Sequence, residues 1–501
     1  MKNKAVILAA GIGSRLYPIT KVMPKSLVKV CDKEILKYQI QGYLNAKIEE
    51  KDIYIVTGYR TNDFKMYLDT NYPQVKIIEN TNYLTTNNMY SLYLALNSLK
   101  DESFDYLFIN NADCLYEEKM MFDFVNCDFE NAIACEINSY IDESMKIITD
   151  EQNRIINIAK TISQSDAAGV SIDLYKYSKP ASIELYNIVR DFIEVKQDLK
   201  QWTEVAFPYL FKKVSVYPFD IKHRKWVEVD NIDDLILADK KFSDFDYKSK
   251  SAYICDLDGT LFIGQTPIKD AVDFIKKNDN NFDFYFLTNN TSKTPQIYVD
   301  KLKKAGIKCD LSQITTPLYP LIDYIKEKGF NSVYVVANKE VKEFLKMSLN
   351  SVDFSFDKDK NQAIVLTYDT DITYEKLKNI CILLNSRDDI EYLATHEDVF
   401  CPTEEGNIPD IGSFIGLIKN TVSKSPTKVF GKPSKNLIES IIRKYGKENI
   451  AIVGDRIYTD KKLADNSNID FIAVLSGETT RFDISQCDSC KYVLKTFGDF
   501  D

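Results

Sequence analysis

The chain has 501 residues, 45% hydrophobic and 28% charged, with 17 Gly, 14 Pro and a formal net charge of -10. That length exceeds one ordinary core and predicts roughly two to four folded units, the balance excludes long disordered arms, and the acidity argues against nucleic acid or an anionic membrane as a partner. No apolar run approaches the roughly 18 residues of a membrane span, and the first one, Ala5 to Ala10, is too short for a secretory leader and runs straight into a glycine turn, so the expected location is the cytoplasm.

From the start, runs rich in β-branched residues alternate with helix-period stretches: AVILAA, ILKYQIQGYLNA, DIYIVTG, FKMYLDT, VKIIE. This rhythm predicts an α/β sheet with parallel strands. It restarts after residue 250 with SAYICDLDG, AVDFIKK, FDFYFLTNN, YVDKLKKAG and SVYVVAN. The charged segment between the halves (SDFDYKSK) reads as a linker, giving expected domains 1–242 and 251–501 around a linker at 243–250. The ten cysteines lie mostly in apolar contexts, as reduced core thiols do. The one close pair, Cys487 and Cys490, has no second pair or histidine cluster to complete a zinc site and reads as two ordinary thiols. With only two histidines, His223 and His396, chemistry that needs a histidine base is not expected.

The first strand ends in Gly11 and Gly13, followed by Ser14, Arg15 and Leu16. A turn with so little side chain lets backbone N–H groups face a triphosphate. Arg15 adds a planar cationic fork, and Lys25 a point charge from the next loop. Candidate nucleotide-binding residues are Leu8, Ala9, Ala10, Gly11 and Gly13, with Tyr83, Asn88 and Ser91 further on. Holding a nucleoside triphosphate gathers negative charge, which calls for carboxylate-held Mg²⁺ as well as cations. Asp113, after the apolar run YLFI, and Asp230, after Trp226 to Val229, sit where strand ends would open onto a cleft. Asp233 and Asp234 suit the first turn of a helix.

The stretch LAAGIGSRLYPITKVMPKSL resembles the signature of the sugar-nucleotidyltransferase family, a likeness extending over about the first 240 residues. TNNMYSLYLAL, INNADCLY and VEVDNIDDL are similar to the branch of bacterial cytidylyltransferases that act on phosphorylated small alcohols such as phosphocholine. The resemblance implies a Rossmann-like domain, CTP as the nucleotide substrate, and Mg²⁺ held by the strand-end and late aspartates, here Asp113 and Asp230. In the expected acceptor pocket the sequence offers Met145 and Lys146 rather than an aromatic face, which disfavours choline and favours an anionic or polyol phosphate. Lys146, Lys160 and Gly169 are the acceptor-side candidates.

The second half opens on DLDGT, two carboxylates two residues apart as the chain leaves a strand. One can attack phosphorus while the other moves a proton. Thr288 in FLTNN, Lys432 in VFGKPS, and Asp455 and Asp460 in IVGDRIYTD follow, each after an expected strand. Together these motifs resemble the haloacid dehalogenase superfamily of phosphatases. The resemblance implies Asp256 as nucleophile, Asp258 as general acid/base, Thr288 and Lys432 on the phosphoryl oxygens, and Mg²⁺ held by Asp256, Asp455 and the Asp258 carbonyl. The stretch between Asn290 and Gly431, with a core at about 307–428, is expected to form a large α/β cap over small phosphomonoesters, with Tyr368, Asp369 and Thr395 to Asp398 near its mouth. His396 is expected to pack rather than bind. Arg456 and Asp465 depart from the pattern without touching a metal ligand.

The reading is a bifunctional α/β enzyme: a nucleotidyltransferase (cytidylyl transfer expected) followed by a Mg²⁺-dependent phosphatase, in a pathway to a surface polymer or lipid head group. Expected partners are a nucleoside triphosphate and a phosphorylated small alcohol or sugar, with a homodimer left open. A uridylyl- or thymidylyltransferase and a nucleotide-sensing scaffold with one inactive module are the alternatives.

Overall fold

The computed structural model describes residues 2–403 and 405–500, which divide into two compact units, Met1–Ser243 and Asp244–Asp501.

In the first unit the strand Asn3–Ala9 lies between Ile53–Thr57 and Tyr106–Asn111, parallel to both. Its side chains alternate between two cores, as a strand's period of two requires: Val6 and Leu8 join one, Ala5, Ile7 and Ala9 the other. Helices can therefore cover both faces. The sheet has nine strands and is mixed rather than wholly parallel. Gly169–Ser178 runs antiparallel to Tyr106–Asn111, and Lys146–Thr149 and Ala132–Ile137 run antiparallel to Gly169–Ser178. The helix–strand rhythm that signals parallel strands is confined to the first part of this unit.

The second unit has a six-stranded parallel sheet, in the order Ile314–Thr315, Asp283–Leu287, Ala252–Asp256, Ile450–Gly454, Asp470–Val474, Tyr492–Leu494. A second parallel sheet, Val333–Val336, Ala363–Leu366, Glu391–Ala394 and Lys428–Val429, is inserted between its strands with its own cores. Because Ile314–Thr315 pairs with Asp283–Leu287, the inserted elements begin at the helix Leu318–Lys328, later than the expected 307.

The expected linker is not a free tether. Ser243 closes the first unit, while Phe245 packs against Tyr492 and Tyr247 against Phe274 and Phe500, so 244–250 belongs to the second unit. Its charged composition hides two aromatic anchors.

Candidate active sites

In the first unit the glycine turn works through what it leaves open. Gly13 has φ +67, and a Cβ there would come within 3.0 Å of the Lys25 side chain, so glycine both permits the turn and lets the lysine pass. Lys25 heads the turn Lys25–Leu27 and reaches inward. Asp113 and Asp230 are brought together by backbone pairing: Cys114–Tyr116 runs antiparallel to Trp226–Glu228, and Val229 N–H donates to the Asp113 carbonyl at 2.9 Å. Lys25 Nζ then lies 2.8 Å from both Asp113 Oδ2 and Asp230 Oδ1, and Arg15 is 2.7 Å from the same Asp230 oxygen. Burial opposes the lysine's charge, but Asp113 and Asp230 outweigh it and hold the ammonium above the usual lysine range. Asp234 reaches back to the Asp230 and Asn231 N–H groups, while Asn231 caps the helix Ile232–Phe242.

These groups open into a cavity of about 420 Å³. Leu8, Ala9, Ala10, Gly11 and Gly13 line it, and so do Arg15 and Lys25. Tyr83, Asn88, Ser91, Asp113, Lys160 and Asp230 also reach it. The structure does not bring Lys146 there. Its side chain is buried in the strand Lys146–Thr149, and Nζ donates to the Asp142 carbonyl at 2.6 Å, so its charge is spent on a loop. Gly169 is likewise a packing position: a Cβ there would come within 2.6 Å of the Glu136 carbonyl on the paired strand.

Several lining residues were not among the expected site residues. Glu228 offers a third carboxylate, within 4.8 Å of Asp113 and Asp230, and burial together with Asp173, Asp113 and Asp230 pushes it up to about 8. Asp173 is aimed inward by a break in register between Ser171 and Tyr175 and by a left-handed backbone at φ +58. Its carboxylate accepts from Asn111 and Tyr175, each at 2.9 Å, and Tyr175 lies 3.0 Å from Glu204, also at the cavity. Trp202 and Trp226 complete that end, with Lys160 Nζ 5.0 Å from the Trp202 ring centre.

In the second unit Asp256 ends the strand Ala252–Asp256, and Asp455 follows the adjacent strand Ile450–Gly454. Asp256, Asp455 and Asp460 offer oxygens within 4.8 Å of one another. Lys432 Nζ lies 2.5 Å from Asp256 and 2.6 Å from Asp460. Burial and the neighbouring Asp256 and Asp460 push Asp455 up to about 8. Gly259 and Gly477 hold Asp455 from both sides: a Cβ on either would fall within 2.2 Å of Asp455 Oδ2. Asp258 stays outside the cluster with a half-open side chain, its Oδ1 3.4 Å from Lys301. Thr288, buried just past the strand Asp283–Leu287, accepts from the Asn290 N–H. Asn289 accepts from the Lys432 N–H at 2.7 Å and donates at 3.2 Å to Asp398, in the loop after the inserted strand Glu391–Ala394.

Of the residues expected at the cap mouth, Asp369 is turned to Lys376 at 2.6 Å. His396 is wholly buried, between Asp398 and Asp410, and burial lowers it to about 4, which keeps it neutral. Arg456 stands at ion-pair distance from Asp398, 3.6 Å, and Glu478, 3.0 Å.

The two sites share one device: a lysine, partly buried in the first site and buried in the second, bridges two aspartates beside a third carboxylate. Three hard oxygen donors in such a span fit a divalent cation of the Mg²⁺ type. Burial first, and then the neighbouring carboxylates, push Glu228 and Asp455 up, and a bound divalent cation would offset that repulsion.

Comparison with known proteins assigns both halves. The family model for nucleotidyl transferases matches residues 4–244, that for haloacid dehalogenase-like hydrolases 253–348, and a related hydrolase model 429–500. An acid sugar phosphatase of Staphylococcus epidermidis is 31% identical over 242 residues, which cover 47% of this chain and 91% of that protein. The chain belongs to the haloacid dehalogenase-like hydrolases. A nucleotidyl transferase domain precedes the hydrolase half. The 5'-nucleotidase YutF of Bacillus subtilis is also similar to that half, 30% identical over 239 residues and 90% of its length. Among solved structures, a 4-nitrophenylphosphatase from Thermotoga maritima is 32% identical, covering 50% of this chain and 96% of that one, with a TM-score of 0.46. Both families generally use a divalent metal. Among the described residues, no helix is long and apolar enough to cross a membrane.

Proposed function

We propose that the first unit transfers a nucleotidyl group, with CTP preferred, to the phosphate of a small phosphorylated alcohol and releases pyrophosphate, while the second hydrolyses a phosphomonoester in the same pathway. The carrying observation is the pair of lysine-bridged carboxylate clusters.

In the first site Asp113, Glu228 and Asp230 would hold Mg²⁺, which when bound neutralises phosphate charge. Gly11 and Gly13 leave backbone N–H groups free for the triphosphate, and Arg15 and Lys25 supply cations for charge developing at the α-phosphate. The cytidylyl preference rests on the resemblance of Thr86 to Leu96 and its companion motifs. For the acceptor, the reading against a cationic head loses one of its two lysines because Lys146 is spent elsewhere, leaving Lys160 at that end of the cavity. Asp173, Glu204 and Trp226 instead favour an amino-alcohol phosphate, because carboxylates and an aromatic face both attract an ammonium, whereas the Trp202 ring is already faced by Lys160.

In the second site Asp256 attacks phosphorus, forming an aspartyl phosphate as the ester oxygen leaves with a proton from Asp258; water, deprotonated by Asp258, then releases phosphate. Asp256, Asp455 and Asp460 would hold the metal, and Lys432 neutralises charge beside the nucleophile. The inserted sheet acts as the cap that selects the ester. The relatives' names, acid sugar phosphatase and 5'-nucleotidase, support a small phosphomonoester as substrate.

The test incubates the four nucleoside triphosphates with a panel of phosphorylated alcohols, with and without an ammonium group, and identifies products by mass. A cytidylyl product on an ammonium-bearing acceptor is expected. Preference for UTP or dTTP rejects the cytidylyl assignment, and equal use of anionic acceptors rejects the acceptor class.

A further inference from the structure

A turn of the hydrolase half, residues 486–491, lies between the helix Arg481–Ser485 and the strand Tyr492–Leu494. It carries Cys487 and Cys490, which in the sequence read as two ordinary thiols. Ser489, between them, takes a left-handed backbone at φ +64 and turns the chain back on itself. As a result, Cys490 Sγ donates to Cys487 Sγ at 3.7 Å. The two differ in access, since Cys490 is 4% exposed and Cys487 is partly open. Lys461, anchored 2.7 Å from Asp465, is near enough for its charge to act on both sulfurs. Burial outweighs that cation at Cys490 and pushes its thiol up, which suits it to resolving a mixed disulfide rather than to the first attack. Among the described residues, the groups placed to hold a metal are the two carboxylate clusters, and neither includes these thiols.

We propose that Cys487 and Cys490 form a redox-active dithiol that exchanges with small disulfides such as oxidised glutathione, Cys487 attacking and Cys490 resolving. The Cys487 thiolate attacks one sulfur of the small disulfide; a new S–S bond forms, the old one breaks, and one glutathione leaves as thiolate. Cys490 then loses its proton and attacks Cys487 Sγ, closing the intramolecular disulfide and expelling the second glutathione. Two electrons and two protons pass from the cysteines to the small disulfide. The sulfurs must close from 3.7 Å to a bond of about 2.05 Å, which asks for local adjustment of one turn.

The test equilibrates the full chain in graded mixtures of reduced and oxidised glutathione, quenches with an alkylating agent under denaturing conditions so that buried thiols also react, and maps each of the ten cysteines by peptide mass. In oxidising mixtures the 486–491 segment is expected to lose two hydrogens and resist alkylation while the other eight cysteines are alkylated. Cys490→Ser should stop at a glutathione adduct on Cys487, and Cys487→Ser should leave Cys490 without an adduct. Full alkylation of both residues in wild type under the most oxidising mixture overturns the proposal, and this readout needs no substitution. An adduct in Cys490→Ser spread evenly over the other thiols overturns it as well.

Discussion

Lys25 and Lys432 take the same position in two sites matched by different family models, each bridging two aspartates where phosphate charge would gather. Truncating Lys25 leaves Asp113 and Asp230 facing each other with no protein cation between them. Lys25→Ala is expected to lower pyrophosphate release about 100- to 1000-fold, with phosphatase turnover unchanged in the same sample; wild-type release would show that the lysine serves packing alone. These lysines and Asp113, Asp230, Asp256 and Asp455 were legible because each stands at a fixed offset within a motif or directly after an apolar strand. Asp173 and Glu204 were not, since what aims Asp173 inward is a register break and a backbone angle that no spacing records. Lys146 misled for a related reason: its strand was legible, the face on which its side chain lies was not.

Elements matter here chiefly where the chain leaves a strand. Gly259 takes φ +87 with Asp455 directly above it, so Gly259→Ala combines a backbone penalty of about 1–3 kcal/mol with displacement of Asp455. Loss of phosphatase turnover with the first site intact is the expected outcome; a fully active Gly259→Ala enzyme would mean that Asp455 tolerates displacement. The segment 244–250 shows composition misleading at this scale, because two aromatic residues among charges tie it to the hydrolase sheet. Phe245→Ala is expected to destabilise that unit by about 2–3 kcal/mol, read as an earlier denaturant midpoint for phosphatase loss. An unchanged midpoint would return the segment to the role of a tether. The parallel core strands were legible from their β-branched runs, whereas the antiparallel strands after residue 130 share that composition and differ only in pairing.

For the molecule as a whole, each unit has its own hydrophobic cores and its own carboxylate cluster. Both activities are therefore expected to fall on treatment with a chelator and to return with Mg²⁺, and persistence of either in chelator would remove the metal from that site. The central claim is that two clusters perform two separate reactions. Its most direct test is Asp256→Asn, assayed in one preparation for phosphate release from a phosphomonoester and for pyrophosphate release from CTP with an acceptor phosphate. Loss of phosphate release with pyrophosphate release within about twofold of wild type is predicted, whereas joint loss of both, or phosphate release that survives, would contradict the account.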